Sequence, residues 1–161
     1  MDSQLLRSEQ LGIKLEIVNG LPVWEASPVL KHQIAVDRIR DSLKHSNATG
    51  KSCDCFHAAD VYIQFPDGSL KRPDISIFCK TPTETDNALR EIPDAVIEII
   101  SKGYEKKDLE IGVPFYLASG IKDIVVFNPY TMEIVHFRPE ETRKLTSPVD
   151  IEFECGCACT V

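Results

Sequence analysis

The stretch that decides the fold is IPDAVIEII, residues 92–100. In an extended strand, residues two apart share a face, and here both faces are mainly apolar. A strand that is apolar on both faces is typical of the centre of a covered sheet. Glu98 lies in the middle of this strand, where an unpaired ionised carboxylate is costly. The sequence therefore predicts that Glu98 is paired with a cation, hydrogen-bonded or bound to a metal.

A second carboxylate has a similar setting in RPDISIF, residues 72–78, where Asp74 begins an apolar strand. If the two strands are neighbours and both carboxylates face the same way, they repel each other unless a divalent cation lies between them. Mg²⁺ suits such a site because it takes one or two carboxylates together with water and substrate phosphate. Two alternatives stay open. An aspartate after proline can hydrogen-bond its own turn, and a buried Glu98 can pair with Arg72 or Lys102.

The remaining patterns predict a mixed α/β domain with one sheet of five or more strands and two main helices. The expected elements are a hairpin over 12–24 around Asn19-Gly20, a helix over about 28–45 capped by Ser27, an antiparallel hairpin over 56–79, a helix over about 105–119 that Gly112 and Pro114 weaken, and strands at 124–127, 134–137 and 149–161. We expect these elements to form one domain over residues 1–161.

Composition limits the classes of function. The 161 residues are 43% hydrophobic and 27% charged, which is typical of a globular protein and excludes a disordered chain. The net charge of −7 excludes a protein that coats nucleic acid with its whole surface. Positive charge is local, on residues 31–51 and around 102–107. No signal peptide or membrane-spanning stretch is visible, so we expect a cytoplasmic protein without membrane contact.

The six cysteines are predicted to be mainly reduced core residues, because the chain shows no export signal. They are Cys53, Cys55, Cys79, Cys155, Cys157 and Cys159. A structural Zn²⁺ at Cys53, Cys55, Cys155 and Cys157 is disfavoured. Each pair has only one intervening residue, and in an extended strand such residues lie about 6.6 Å apart on one face, which does not suit a tetrahedron. Metal binding and a disulfide remain the alternatives.

Several motifs occur together in one order along roughly residues 12–140. They are Ser27-Pro28 and His32 near the first helix, RPDISI at 72–77, IPDAVIEIIS at 92–101, and Tyr116 followed by Gly120-Ile121. This arrangement resembles the Uma-type putative restriction endonuclease family of the PD-(D/E)XK nuclease superfamily. The resemblance implies a restriction endonuclease-like core in which helices pack on a curved mixed sheet.

The resemblance also implies a chemistry. Asp74 and Glu98 would hold Mg²⁺, or Mn²⁺ in its place, and the metal would activate water for attack on a DNA phosphodiester. The implied function is that of a Mg²⁺-dependent endodeoxyribonuclease acting on DNA. A dimer would make cutting of both strands easier, so a homodimer is possible.

The sequence departs from the superfamily pattern at its lysine. The residue two after Glu98, where the superfamily motif has lysine, is Ile100. The related family often has its lysine four residues before the helix tyrosine, and that position is Gly112. A catalytically weakened or inactive binding or regulatory module on the same fold is therefore the alternative function. A zinc-stabilised interaction domain is a third hypothesis, from a different class.

Lys102 is the predicted substitute, because it directly follows the strand of Glu98 and its flexible arm could reach back to orient water or stabilise the transition state. Lys106 and Lys107 are ranked next, and all three can equally be solvated lysines of a charged turn. His32 is predicted to be a hydrogen-bonded core histidine, with contact to the carboxylates as the alternative. Glu25 matches an acidic position that some superfamily members use as an extra ligand.

Overall fold

The computed structural model describes residues 7–8, 10–48 and 50–161, and the side chains of residues 25 and 26 lie outside this description. The helices are Leu30–Ser42 (α1) and Val113–Ala118 (α2), and a π-helical segment, Lys107–Gly112, leads into α2. The strands in chain order are Ile13–Val18 (β1), Leu21–Ala26 (β2), Lys44–His45 (β3), Phe56–Ala59 (β4), Ile63–Gln64 (β5), Leu70–Lys71 (β6), Ile75–Phe78 (β7), Ala95–Ile99 (β8), Asp123–Asn128 (β9), Glu133–Arg138 (β10), Glu141–Thr146 (β11), Asp150–Glu152 (β12) and Cys157–Thr160 (β13).

The largest sheet has six strands in the order β11-β10-β9-β8-β7-β4. Strand β8 lies inside this sheet, as its two apolar faces predict. It pairs in parallel with β9 and antiparallel with β7. The chain between β8 and β9 contains the π-helical segment and α2, which together form the crossover that a parallel pair requires.

The two faces of this sheet carry two separate hydrophobic clusters. On one face, Ile97 and Ile99 pack in the same cluster as Ile39 of α1. On the other face, Val96 and Ile100 belong to the cluster that contains the buried residues of α2. This alternation follows from the two-residue period of a strand, and it places Glu98 on the face covered by α2.

The hairpin at Asn19-Gly20 is confirmed, because β1 and β2 pair antiparallel from Ile13 to Ala26. Both turn residues have left-handed backbone angles, with φ of +51° at Asn19 and +79° at Gly20. Positive φ at both central positions is what a tight two-residue hairpin turn of this type requires. Strand β1 also pairs with β6, in a four-stranded sheet of the order β2-β1-β6-β5.

The predicted hairpin over 56–79 is correct only at its ends. Phe56 pairs with Phe78, so β4 and β7 are antiparallel neighbours. The residues between them leave this sheet and form β5 and β6 in the four-stranded sheet instead. Two features explain the departure: Asp60 has a left-handed φ of +57°, and Pro73 has no N–H to donate to a neighbouring strand.

The two predicted helices differ from the expectation at their ends. Helix α1 begins at Leu30, and Ser27 does not cap it, because the Ser27 hydroxyl donates to the Gly12 carbonyl at 2.6 Å. The second helix is interrupted, since its first part is π-helical up to Gly112. Pro114 follows in the first turn of α2, where its missing N–H is tolerated.

The C-terminal prediction of one strand over 149–161 is wrong. The segment is a hairpin of β12 and β13, and β3 pairs with the outer side of β13. Its turn includes Gly156, whose φ of +102° favours glycine. Strand β11 was not predicted because its sequence, ETRKLT, lacks an apolar alternation. Among the described helices, none has the length and apolar character that crossing a membrane requires.

Candidate active site

Asp74 and Glu98 lie opposite each other on neighbouring strands. The antiparallel register pairs Ile75 with Ile97, which sets Asp74 across from Glu98. The Asp74 backbone N–H donates to Glu98 Oε2 at 3.3 Å, and both side chains are buried. The structure therefore brings together the two residues predicted as metal ligands.

Three donors surround the Asp74 carboxylate. Lys14 Nζ lies 3.3 Å from Oδ1, while His32 Nε2 and the Ile99 backbone N–H lie 3.1 Å and 2.7 Å from Oδ2. Burial alone would raise the pKa of Asp74, but the Lys14 ammonium and the hydrogen bond to His32 outweigh it. The pKa of Asp74 therefore lies well below its usual range, and this carboxylate is ionised.

Glu98 has the opposite electrostatic setting. The Tyr116 hydroxyl donates to Glu98 Oε1 at 2.5 Å. Burial, and next the negative charge of Asp74, raise the pKa of Glu98 to about 8. This difference is expected for two carboxyl groups in close contact, because the ionisation of one makes the ionisation of the other less favourable.

A second ion pair lies beside the first. Strand β1 pairs with β6 so that Ile17 is opposite Leu70, which places Glu16 opposite Lys71. Lys71 Nζ lies 2.6 Å from Glu16 Oε2, and both side chains are almost fully buried. Burial would raise the pKa of Glu16, but Lys71 and other nearby lysines lower it to about 2. The Glu16 carboxylate is therefore ionised at neutral pH.

These side chains form what we call the charged cluster. Its buried members are the carboxylates of Glu16, Asp74, Glu98 and Asp108 and the ammonium groups of Lys14, Lys71 and Lys107. With every one of these groups ionised and the neighbouring His32 neutral, the carboxylates outnumber the ammonium groups by one. Buried charges are stable only when they are compensated. The cluster can therefore balance its charge either with a proton on Glu98 or with an added cation.

A small cavity opens beside the charged cluster. Its volume is about 90 Å³, and its walls include Lys14, His32, Asp60, Asp74 and Ser101. Because a water molecule takes up about 30 Å³ in the liquid, the cavity has room for a few waters or a partly hydrated ion. The Asp74 carboxylate thus has access to solvent-sized molecules although its side chain is buried.

The predicted lysines are placed differently from one another. Lys102 and Lys106 are exposed, whereas Lys107 is buried in the charged cluster, with Nζ 3.1 Å from Asp108 Oδ1. Lys102 lies in the turn after β8, next to Ser101 of the cavity wall.

His32 and Glu25 are the two remaining residues that the sequence analysis considered for the site. His32 contacts Asp74 with Nε2 3.1 Å from the carboxylate, which is the alternative role that the sequence left open for it. The side chain of Glu25 lies outside the described residues.

Sequence reasoning missed Lys14, Glu16 and Lys71. Lys14 and Glu16 are two apart on β1, a spacing and polarity that ordinarily indicate the solvent face of a strand. Their burial depends on long-range pairing between β1 and β6, for which the local sequence gives no signal.

Gly112 lies against the charged cluster. A Cβ at this position would be 3.7 Å from Tyr116 Cε2 and 4.0 Å from Lys71 Nζ. The amine of Lys71 is therefore close to the position at which the related family often has its lysine. Lys71 Nζ also lies 5.1 Å from the centre of the Tyr116 ring.

The donor set fits a divalent cation with a preference for oxygen. Asp74 and Glu98 supply two facing carboxylates, and the cavity supplies space for water. Mg²⁺ is bound in proteins by one or two carboxylates and several waters. The residues present are thus compatible with Mg²⁺ or Mn²⁺ at this position.

Comparisons with known proteins agree with the fold. Residues 2–153 match the model of a family described as "Uma2: Putative restriction endonuclease". A crystal structure of a putative nuclease belonging to DUF820 from Anabaena variabilis ATCC 29413 is 20% identical, with a TM-score of 0.64. The alignment covers 86% of this chain and 80% of that chain, so the two proteins share a restriction endonuclease-like fold. No curated protein matches this chain. On the family match over nearly its whole length, the chain belongs to the Uma2 family of putative restriction endonucleases.

Proposed function

We propose that this protein is a Mg²⁺-dependent endodeoxyribonuclease of the cytoplasm that hydrolyses DNA phosphodiester bonds, with Mn²⁺ as a possible substitute. The observation that carries the proposal is the facing pair of Asp74 and Glu98 within the buried charged cluster. Membership of a family described as putative restriction endonucleases supports a nuclease and suggests DNA as the substrate.

Asp74 and Glu98 would hold the metal. When bound, Mg²⁺ supplies a water of lowered pKa and neutralises charge on the phosphate. The chain itself orients the two ligands. His32 and the Ile99 N–H fix the Asp74 carboxylate, and Tyr116 fixes Glu98. Preorganised ligands of this kind keep the reorganisation cost of binding low.

The open side of the cavity is the side from which a phosphate would approach. Asp60 of the cavity wall pairs with Arg72, whose Nη2 lies 3.0 Å from Asp60 Oδ2 and whose side chain is partly exposed. Lys102 follows the cavity-wall residue Ser101, and we propose Lys102 as the lysine that assists catalysis from the solvent side. Lys71, whose amine lies beside Gly112, is the alternative from within the cluster.

Calorimetric titration of Mg²⁺ and Mn²⁺ into metal-free protein tests the metal site. We expect binding in the wild type and its loss in Glu98→Gln, which keeps the size of the side chain but removes the charge. Glu133→Gln is the matched control, because Glu133 is exposed on β10. A wild type that binds neither metal, alone or with a short DNA duplex, contradicts the proposal.

Cleavage of supercoiled plasmid DNA tests the reaction itself. We expect nicking in the presence of Mg²⁺ or Mn²⁺, and loss of nicking in Asp74→Asn and Glu98→Gln. Lys102→Ala should lower the rate at least about tenfold, because a lysine that stabilises the transition state typically contributes that much or more. Lys144→Ala, at an exposed position of β11, is its control. Full activity of Lys102→Ala together with an inactive Lys71→Met assigns the role to Lys71 instead.

A second candidate function is a DNA-binding or regulatory module without cleavage. Two observations favour it: Gly112 replaces the family lysine, and the Lys14 ammonium already occupies one side of the Asp74 carboxylate at 3.3 Å. This candidate predicts that the wild type shifts a labelled duplex in a gel but leaves it uncut with both metals. Cleavage that depends on Glu98 excludes it.

A further inference from the structure

Five cysteine sulfurs converge in a second cluster that shares no residue with the charged cluster. They come from the loop before β4, the residue after β7, and the turn and strand that close the C-terminal hairpin. We call this set the thiol cluster, and its members are Cys53, Cys55, Cys79, Cys155 and Cys157.

The sulfurs form two overlapping sets of three. The Sγ atoms of Cys53, Cys79 and Cys155 lie within 4.8 Å of one another, and so do those of Cys53, Cys55 and Cys157. Cys53 belongs to both sets, and its Sγ lies 3.4 Å from that of Cys157. Four thiolates around a zinc ion at about 2.3 Å are about 3.8 Å apart from each other. The spacing within the set of Cys53, Cys79 and Cys155 is therefore on the scale of three corners of a tetrahedral thiolate site.

The backbone explains how closely spaced cysteines can converge. A separation of about 6.6 Å on one face holds only for a Cys-x-Cys pair in an extended strand. Instead, Cys55 has a φ of +48°, and Gly156, between Cys155 and Cys157, has a φ of +102°. These left-handed residues bend the chain at both pairs, so neither pair has the extended geometry on which the objection to a tetrahedral site rests.

Hydrogen bonding at the cluster is also of the kind that thiolate ligands receive. The Cys55 N–H donates to Cys53 Sγ at 3.4 Å. Donors to the ligand atoms orient metal ligands in known sites. Burial alone does not account for the convergence, because Cys159 is more deeply buried than Cys79 and Cys155 and lies outside both sets.

The redox state decides how many thiols are available. Cys55 and Cys157 are joined by a disulfide, whereas Cys53, Cys79 and Cys155 are free. A cellular dithiol would open the bond by supplying two electrons and two protons, forming two Cys thiols while the dithiol itself becomes a disulfide. In the reducing cytoplasm that the sequence predicts, structural disulfides are rare.

We propose that the reduced chain binds one Zn²⁺ in the thiol cluster. Its ligands are Cys53, Cys79 and Cys155, whose sulfurs already lie together, and Cys157, which opening of the disulfide releases. Four protein ligands leave no open coordination position, so the site is structural and not catalytic. It ties the C-terminal hairpin to the end of β7 and to the loop before β4. Binding releases thiol protons, and the affinity therefore rises with pH.

Titration of Co²⁺ into the reduced, metal-free full-length chain tests this site without any measurement of nuclease activity. We expect the thiolate-to-cobalt charge-transfer absorption to saturate at one equivalent and to disappear when Zn²⁺ is added. Cys155→Ser, at a half-buried turn position, should weaken binding at least about tenfold, because even outer partners of a metal site change affinity by that factor. Cys159→Ser is the matched control and should bind like the wild type.

Cys55→Ser provides an independent test because it cannot form the disulfide. This variant should give the charge-transfer band without any reductant, whereas Cys157→Ser should lose it under all conditions. Circular dichroism of each variant confirms that the fold is kept. The proposal is overturned if the reduced wild type shows no thiolate band, or if Cys53→Ser, Cys79→Ser and Cys155→Ser all keep wild-type affinity while folded.

Discussion

Lys14 is the residue that competes most directly with a cation for Asp74. Carboxylates at Asp74, Glu16 and Glu98 raise the pKa of Lys14 more than burial lowers it, so the amine stays charged. Two unit charges 4 Å apart interact by about 1 to 4 kcal/mol at effective dielectric constants of about 80 to 20. We therefore predict that Lys14→Met raises the Mg²⁺ affinity about tenfold in a calorimetric titration.

Lys144→Met is the control for this prediction, because it removes the same charge from an exposed position on β11. It should leave the Mg²⁺ affinity unchanged, since exposed charges are screened by salt. A fall in affinity in Lys14→Met would assign Lys14 the opposite role, that of holding Asp74 in the orientation that binds metal.

Among the single residues of the charged cluster, the carboxylates of Asp74 and Glu98 could be predicted from the sequence, whereas the lysines could not. Asp74 and Glu98 stand out because a carboxylate within an apolar strand is conspicuous in any sequence. Lys14 and Lys71 do not stand out, because a lysine on a short strand is ordinarily at the surface. Their burial follows from the pairing of β1 with β6 over more than fifty residues, which local patterns do not encode.

The interrupted helix allows a matched test of backbone conformation. Gly112 has helical angles, with φ of −64°, and a Cβ there would make only ordinary contacts of 3.6 to 4.0 Å. We predict that Gly112→Ala raises the free energy of unfolding by about 0.5 to 1 kcal/mol, because alanine has less conformational freedom to lose on folding. Urea denaturation measures the change.

Gly120 is the counterpart at the other end of the same helix. Its φ is +87°, and nothing lies within 4 Å of the place where a Cβ would be. Gly120→Ala should therefore lower the free energy of unfolding by about 1 to 2 kcal/mol through backbone strain alone. If both substitutions change the free energy of unfolding equally, the backbone angles of the two glycines do not determine that change.

The predictability of whole elements follows the strength of their apolar pattern. Strand β8 and the hairpin of β1 and β2 were predicted because a central apolar run and an Asn-Gly turn are strong local signals. Strand β11 was not, since an edge strand with two polar faces has no such pattern. The C-terminal hairpin differs from the single predicted strand because the sequence gives no sign that Gly156 forms a turn.

At the scale of the whole molecule, both candidate sites arise where strands from distant parts of the chain pair. The register of β7 with β8 sets Asp74 against Glu98, and that of β1 with β6 sets Glu16 against Lys71. The thiol cluster likewise forms where the C-terminal hairpin meets β7 and the loop before β4. Because strand pairing positions these side chains, a substitution that weakens the contacts between strands affects function as well as stability.

Asp123, at the start of β9, makes contacts of this kind. Its Oδ1 accepts hydrogen bonds from His136 Nε2 at 2.7 Å and Arg138 Nε at 2.6 Å, and its Oδ2 accepts from the Glu154 N–H at 2.8 Å. It therefore joins β9, β10 and the turn of the C-terminal hairpin. Burial raises the pKa of Asp123, but the hydrogen bonds from His136 and Arg138 outweigh it and hold this pKa below its usual value of 3.8.

A folded-state pKa below the unfolded value means that ionised Asp123 stabilises the fold above that unfolded value, and that this stability is lost as the pH falls through the lowered pKa. We predict that Asp123→Asn costs about 3 kcal/mol at pH 7, because it leaves buried donors without their anion. In urea denaturation, the gap to the wild type should close as the pH falls below about 4. Asp37→Asn, on the exposed face of α1, should follow the wild type at every pH. If Asp123→Asn lowers the free energy of unfolding equally at pH 7 and at acidic pH, the charge of Asp123 is not what holds the hairpin to the sheet.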